Sequence, residues 1–202
     1  MNIKNNKILI GTHNKGKFKE ISYLISNKIK KISPNQLKIS SPEETGKTFE
    51  ANSKLKALYF YKLSGLVSIS DDSGLVINCL DGKPGIYSAR WAKKYGSFKK
   101  AMLQIIKLVK NKNKNKLKKN TKAYFVCSLS LKVPNKKIVN VTGKIMGNIS
   151  YKILGNKGFG YDPIFIPNKY IITFGQMDKI KKMKMDHRFL AFKKLKKKIN
   201  SL

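Results

Sequence analysis

The segment Ser70-Asp71-Asp72-Ser73-Gly74 restricts the fold of this chain more than any other. Short apolar runs with alternating spacing flank it, residues 66–69 before it and 75–77 after it. This pattern predicts a buried strand that delivers two adjacent carboxylates to a tight turn at Gly74. Adjacent strand residues point to opposite faces of a sheet, so we expect Asp71 and Asp72 to have different surroundings.

Acidic residues are scarce in this chain, which makes the pair informative. The 202 residues include 10 Asp and Glu against 44 Lys and Arg, for a formal net charge of +34. A second pair, Glu43 and Glu44, stands just before a segment with helical apolar spacing. Because Mg²⁺ prefers oxygen ligands, we expect both pairs to serve one divalent cation, with one carboxylate activating water.

The large positive charge is compatible with binding to nucleic acid, anionic membranes or phosphorylated small molecules. The lysines are spread over the whole chain, however, and Lys and Asn fill most of its polar positions. We therefore interpret the positive charge mainly as a consequence of frequent lysine use at polar positions, and not as a binding surface. A basic nucleic-acid-binding protein remains the alternative from another class, although it gives no reason for the acid pairs. Only Arg90 and Arg188 are arginines, which marks them as positions that use a planar, bidentate guanidinium, either in a functional contact or in a structural salt bridge.

Length and composition indicate one domain over residues 1–202, with two lobes that share a core, because 41% of the residues are hydrophobic. No apolar run reaches the ~20 residues of a membrane span, and the first residues lack the apolar region of a signal peptide. Cys79 and Cys127 have no CxxC spacing. We therefore expect a cytoplasmic protein with free thiols and no membrane partner.

The order of periodic segments predicts an α/β protein. The predicted strands cover residues 7–11, 37–39, 66–72, 121–133, 138–145 and 149–154, and a hairpin is expected through 78–81. The predicted helices follow residue 17, span 49–63 and 97–109, and close the chain from residue 185 or 186. A Lys- and Asn-rich tract at 111–120 is expected to be an exposed, mobile connection.

Two loops have the composition of binding segments. Residues 12–17, Thr-His-Asn-Lys-Gly-Lys, join a strand to a helix N-terminus, where backbone N–H groups favour phosphate. They lack the spacing of a P-loop, so an ordinary strand-to-helix turn stays open as an alternative. Residues 158–163, Gly-Phe-Gly-Tyr-Asp-Pro, suit a loop that presents a ring for stacking, although a glycine-rich turn around a core Phe explains them too.

Taken in order along nearly the whole chain, these segments resemble the inosine triphosphate pyrophosphatase family. Its members hydrolyse non-canonical purine nucleoside triphosphates such as ITP, dITP and XTP to the monophosphate and pyrophosphate. The resemblance also rests on Glu20, Asn52, Pro84-Gly85 and Ser88-Ala89-Arg90. It implies an elongated mixed β-sheet flanked by helices, two lobes with the active site in the cleft between them, and a homodimer.

The resemblance implies a role for each matching residue. Asp72 is the catalytic carboxylate and a metal ligand, and Glu43 and Glu44 complete the Mg²⁺ shell. The implied substrate-binding residues are Thr12, His13, Asn14, Lys15, Gly16, Lys17, Lys56, Ser73, Phe159, Gly160, Tyr161, Asp162, Lys182, His187 and Arg188.

The implied contacts divide by the part of the nucleotide that they hold. Thr12, Asn14, Lys17 and Lys56 hold the triphosphate, and Ser73 contacts the substrate beside the acid pair. Phe159 stacks on the base, whose edge is read by Asp162, Lys182, His187 and Arg188. The role of Arg90 stays open between a phosphate contact and a structural partner. A related pyrophosphatase for dUTP or modified pyrimidines is the second alternative, and no specific nucleic acid is expected as a partner.

Overall fold

The structure, a computed structural model, describes residues 6–200, with side-chain surroundings through residue 198. Its strands are β1 (Lys7–Ile10), β2 (Lys30–Ile32), β3 (Ser68–Ile77), β4 (Lys122–Lys132), β5 (Val139–Ile149) and β6 (Phe165–Pro167). Its α-helices are α1 (Lys15–Leu24), α2 (Phe49–Ser64), α3 (Ser88–Lys94), α4 (Phe98–Lys112), α5 (Lys179–Met183) and α6 (His187–Asn200). No helix within residues 6–200 is long and apolar enough to cross a membrane.

The six strands form one mixed sheet in the order β2-β1-β3-β4-β5-β6. β1 pairs in parallel with both β2 and β3, so that Leu9 lies opposite Ile32 on one side and Ser68 on the other. β5 and β6 pair antiparallel, with Asn148 opposite Ile166. The predicted fold class, a mixed sheet flanked by helices, is confirmed.

The chain divides into two compact units, and each of them contains clusters of buried hydrophobic residues. The first unit comprises the residues up to Asp72, Cys127–Gly143 and the residues from His187 onwards. The second unit comprises Ser73–Val126 and Lys144–Asp186.

In the first unit, helices α1 and α6 cover the apolar side chains of the strands. The core includes Ile8, Ile10, Ile21, Ile25, Val67, Ile69, Leu129, Ala191 and Leu195. A Cβ atom added to Gly143 would lie 2.3 Å from both Ala191 N and His187 O. Helix α6 therefore lies directly against the backbone of β5, which fixes the position of its first turn.

In the second unit, α4 supplies one face of the core. Ser97 caps this helix by accepting a hydrogen bond from Lys100 N at 3.1 Å, and the predicted amphipathic helix is confirmed. Its buried side chains are Ala101, Met102, Ile105, Ile106 and Val109. They belong to the same core cluster as Phe125, whose ring centroid lies 4.7 Å from that of Phe165.

The turn expected at Gly74 is wrong. β3 continues without interruption from Ser68 to Ile77, so Asp71, Asp72 and Gly74 all lie inside a strand. The apolar runs on either side of the acids therefore belong to a single buried strand, and polar residues in its middle do not end it. The catalytic candidate Asp72 consequently has strand residues of β3 both before and after it in the sequence.

Other predicted boundaries also need correction. The strand expected at 37–39 is wrong: Ser33 and Gln36 form a capping box around a 3₁₀ helix, Pro34–Leu37. The strand expected at 149–154 is wrong as well, because β5 extends to Ile149 and its next partner is β6. The hairpin at 78–81 is reduced to a 3₁₀ helix, Asn78–Leu80, and one antiparallel bridge, Val76 to Pro84.

The Lys- and Asn-rich tract is exposed from residue 114 to residue 119, as predicted. Its two ends are joined by Asn113, which is 2% exposed. The side chain of Asn113 donates to Val109 O at 2.7 Å and Asn120 O at 3.1 Å, and it accepts from Asn120 N at 2.7 Å. The tract is therefore a loop closed at its base by one buried amide.

Candidate active site

The candidate residues form two groups, one in each unit. The first group is built around the adjacent acids of β3, which are both buried: Asp71 is 1% exposed and Asp72 is 4% exposed. Lys17 Nζ lies 3.1 Å from Asp71 Oδ2, whereas Asn52 Nδ2 donates to Asp72 Oδ2 at 3.0 Å. The prediction that the two acids have different surroundings is confirmed.

Asp71 takes part in a buried ion-pair network. Arg188 Nε lies 3.7 Å from Asp71 Oδ2, and Arg188 Nη1 donates to Glu20 Oε2 at 2.8 Å. Burial acts to raise the pKa of Asp71, but the charges of Lys17 and Arg188 outweigh it and hold that pKa at about 2. Asp71 is therefore ionised at neutral pH and orients two cations.

Asp72 and Glu44 approach the same ammonium group. Lys56 Nζ donates to Glu44 Oε1 and lies 3.7 Å from Asp72 Oδ1. Burial raises the pKa of Asp72 above its ordinary value, although Lys56 opposes the shift. The pKa of Lys56 is itself raised, because the neighbouring carboxylates outweigh the effect of burial. A carboxyl with a raised pKa suits general-base chemistry.

Glu43 and Glu44 lie in the loop that precedes α2, where Thr48 caps the helix by accepting from Ala51 N at 3.0 Å. Glu43 is exposed, and Glu44 is half-buried. Within residues 6–200, no group of three or more His, Cys, Asp and Glu side chains is arranged to hold a metal ion. Of the three predicted metal ligands, the structure brings Asp72 and Glu44 to one shared partner.

The turn between β1 and α1 is organised by its own side chains. Asn14 Oδ1 accepts from Lys17 N at 3.0 Å and so caps α1, and Thr12 Oγ1 accepts from Asn14 N at 3.2 Å. Gly11 is required at the end of β1, because an added Cβ would lie 2.3 Å from a ring carbon of Phe60. The turn is therefore a rigid helix N-terminus with Lys17 in its first turn.

The remaining predicted residues of this turn have other surroundings. The ring of His13 contacts the segment before the acidic loop, with Nε2 3.0 Å from Ile39 O and Nδ1 2.6 Å from Ser41 Oγ. Lys15 is exposed at the start of α1, and Gly16 is half-buried beside it. The imidazole thus links this turn to residues 39–41.

Helix α6 brings two further candidates into the first unit. His187 and Arg188 form its first turn and are 2% and 3% exposed. Arg188 is bound to Glu20 and Asp71, as described above. The structure therefore groups Arg188 with the acid pair.

The second group lies in the second unit and is centred on a buried ion pair. Lys182 Nζ lies 2.6 Å from Asp162 Oδ2, and each residue is 2% exposed. The same carboxylate accepts from Phe159 N at 2.8 Å, and Lys182 Nζ lies 4.8 Å from the centroid of the Phe159 ring. Asp162 thus holds both the ring-bearing loop and the lysine in place.

Four other candidates belong to this unit. Gly160 has φ of +64°, a conformation that favours glycine, and Tyr161 follows it with 3% exposure. The hydroxyl of Tyr161 donates to Ser88 O at 2.8 Å, so this ring is a structural anchor of the loop. Ser73 is half-buried on β3. Arg90 is exposed in α3, with its guanidinium 4.9 Å from the Tyr87 ring centroid.

Sequence reasoning assigned no role to Glu20 and Asn52, although both were part of the resemblance. Glu20 is 6% exposed and holds Arg188, and Asn52 is fully buried and holds Asp72. A signal was available for each of them: Glu20 is one of few acids, and Asn52 is a poor helix former inside a helix. Their partners lie 168 and 20 residues away along the chain, which no local pattern indicates.

Comparisons with known proteins identify the family. The model of the Ham1 family matches residues 8–198. The chain is 40% identical over 190 residues to the dITP/XTP pyrophosphatase of Caulobacter vibrioides, covering 94% of this chain and 96% of that protein. It is 41% identical over 193 residues to the dITP/XTP pyrophosphatase of Dictyoglomus thermophilum, covering 94% and 92%.

Solved structures agree with the sequence comparisons. The Staphylococcus aureus Ham1 protein has a TM-score of 0.81 at 33% identity and covers 96% of this chain and 98% of its own. A HAM1 protein from Coxiella burnetii has a TM-score of 0.84 at 28% identity and covers 97% and 99%. The chain belongs to the Ham1 family, and the resemblance inferred from the motifs is confirmed.

Proposed function

We propose that this protein hydrolyses the non-canonical purine nucleotides dITP, ITP and XTP to the monophosphate and pyrophosphate, and so cleanses the nucleotide pool. The observation that carries the proposal is the buried carboxylate of Asp72, held by Asn52 and Lys56 beside Glu44, in a chain about 40% identical to enzymes named dITP/XTP pyrophosphatase. We propose the cytoplasm as its compartment. We also propose that it assembles as a homodimer, and analytical ultracentrifugation would check this assembly.

Asp72 acts as the general base in this proposal. Its raised pKa lets a carboxylate oxygen accept a proton from the attacking water, which it also orients toward the α-phosphorus. The new bond forms between water oxygen and phosphorus, the bond from phosphorus to the bridging oxygen breaks, and pyrophosphate leaves. Lys17 and Lys56 offset the negative charge of the leaving group, and the helix N-terminus with Thr12 and Asn14 positions the phosphates.

Mg²⁺ is the proposed cofactor, and the residues of the first unit fit it. Asp72 and Glu44 already share one cation, the ammonium group of Lys56, and carboxylate oxygens are the donors that Mg²⁺ takes. Proteins often bind Mg²⁺ through one or two carboxylates together with substrate phosphates. Asp72 and Glu44, with Glu43 from the same loop, would hold the ion, which when bound neutralises phosphate charge.

The base is proposed to bind to the second group, around the Phe159 ring and the Asp162–Lys182 pair. Phe159 offers the stacking face, and Asp162 and Lys182 offer polar atoms for the base edge. The roles of His187 and Arg188 in base recognition are proposed from the family resemblance alone. A 6-oxo purine presents an acceptor to lysine and arginine donors, whereas adenine presents an amino group. Adenine would therefore leave buried donors unsatisfied, which a site of this kind rejects strongly.

A substrate panel tests the proposal. With Mg²⁺, we expect kcat/KM for dITP and XTP to exceed that for dATP by at least about 10²-fold, because the amino group of adenine opposes the site's donors. Pyrophosphate should be the released product, EDTA should abolish turnover, and added Mg²⁺ should restore it. A preference for dUTP or a modified pyrimidine would assign another base. Failure to cleave any triphosphate, combined with tight sequence-independent DNA binding at physiological salt, would favour a nucleic-acid-binding protein.

A further inference from the structure

We propose that Asn52 is a positioning residue, which fixes the Asp72 carboxylate and the acidic loop at residues 43–47 relative to each other. The inference rests on the proposed function, in which Asp72 and Glu44 act together. Asn52 is fully buried in α2, and its own N–H donates to Thr48 O at 3.1 Å. A buried side-chain amide must satisfy both its donor and its acceptor inside the protein, so its contacts define its role.

Both ends of the Asn52 amide are used, and each end has a different partner. Nδ2 donates to Asp72 Oδ2 at 3.0 Å, and Oδ1 accepts from Gly46 N at 2.8 Å. A carboxylate only accepts and a backbone N–H only donates, so the amide has one orientation. The side chain therefore connects the catalytic strand to the acidic loop with fixed polarity.

Gly46 allows the loop to reach this amide. A Cβ atom at position 46 would lie 2.5 Å from Asn52 Oδ1, 2.8 Å from Ala51 Cβ and 2.9 Å from Asn52 N. The backbone of the loop thus lies directly on the first turn of α2, closer than any other residue permits. On the loop side, the contact is made by the backbone of Gly46 and not by a side chain.

The contacts close into a ring around the proposed reaction site. Lys56 lies one helical turn after Asn52, and the two contact different oxygens of the same carboxylate, Oδ1 and Oδ2 of Asp72. Lys56 also holds Glu44, whose loop returns to Asn52 through Gly46. Loss of the Asn52 amide would therefore remove one hydrogen bond to Asp72 and one backbone anchor of the Glu44 loop at the same time.

The test compares Asn52→Ala and Asn52→Asp with Asn113→Ala, using the full chain with dITP and Mg²⁺. Asn52→Ala should lower kcat about 10–100-fold with a much smaller change in KM, as for other residues that orient a metal-binding carboxylate. Hydrogen exchange of the Gly46 amide, measured by NMR, should accelerate in the same variant. Asn52→Asp keeps an acceptor for Gly46 and loses the donor to Asp72, so exchange should stay slow while kcat falls.

The matched control removes a different buried side-chain amide, that of Asn113, which makes three hydrogen bonds to residues 109 and 120. Asn113→Ala should lose stability with normal kcat and normal Gly46 exchange. Wild-type kcat in a folded Asn52 variant, or an equal loss of kcat in the control, would overturn the proposal. Asn52→Asp carries the kinetic test if Asn52→Ala does not fold. A wild-type chain inactive on both dITP and XTP would instead overturn the proposed function, and Gly46 exchange alone would then decide whether Asn52 anchors the loop.

Discussion

Replacement of Asp72 by asparagine is expected to lower kcat for dITP by about 10²–10⁴-fold while leaving the fold intact, because an amide cannot accept a proton from water. The substitution is close to isosteric. The new carbonyl oxygen can still accept from Asn52 Nδ2, and Lys56 keeps its contact with Glu44. Steady-state kinetics with Mg²⁺ and a thermal unfolding curve on the same preparation check both halves of the prediction.

The matched control is Asp178→Asn, which makes the same chemical change outside the proposed site. Asp178 caps α5 by accepting from Ile180 N and Lys181 N, and asparagine caps helices comparably well. We expect its kcat to match that of the wild type. Near-normal turnover in Asp72→Asn would remove Asp72 from the catalytic role, whereas an equal loss in both variants would point to a general effect of losing one negative charge in a strongly basic chain.

The two adjacent acids, Asp71 and Asp72, show which features of the site can be predicted from the sequence. Alternation of apolar residues was enough to place Asp71 and Asp72 on a buried strand and on opposite faces. Helical spacing was enough to place α2, which Thr48 caps, and with it Lys56. These features are local, because side-chain period and capping depend on residues within a turn or two.

Features that depend on distant contacts could not be predicted in this way. Gly74 was interpreted as a turn, but it continues β3. Gly147 lies inside β5, where an added Cβ atom would approach Ile166 O on the neighbouring strand to 2.3 Å, so the close pairing with β6 requires glycine. The pairing of Glu20 with Arg188 spans nearly the whole chain. The role of a glycine or of a buried ion pair depends on the residue that the fold places against it. The neighbouring sequence does not indicate which residue that is.

Replacement of Asp162 by alanine is expected to lower the free energy of unfolding by about 3–5 kcal/mol, because it leaves the buried ammonium group of Lys182 without its carboxylate. The pair is 2.6 Å apart and both residues are 2% exposed, so the ammonium group is not in contact with bulk solvent. The aromatic rings of Phe159 and Phe174, at 4.8 and 5.6 Å from Lys182 Nζ, offset only part of the loss. Urea unfolding at neutral pH measures the change.

The double variant Asp162→Ala with Lys182→Met identifies the cause. If the destabilisation comes mainly from the buried charge of Lys182, removing that charge should recover most of the lost stability, since hydrophobic replacements of buried ion pairs are often neutral. Glu50→Ala is the control, because its pair with Lys54 is exposed and should contribute less than about 1 kcal/mol. Equal destabilisation of the single and double variants would contradict this account. It would show instead that the lost stability comes from the hydrogen bond that Phe159 N donates to Asp162, which orders the ring-bearing loop.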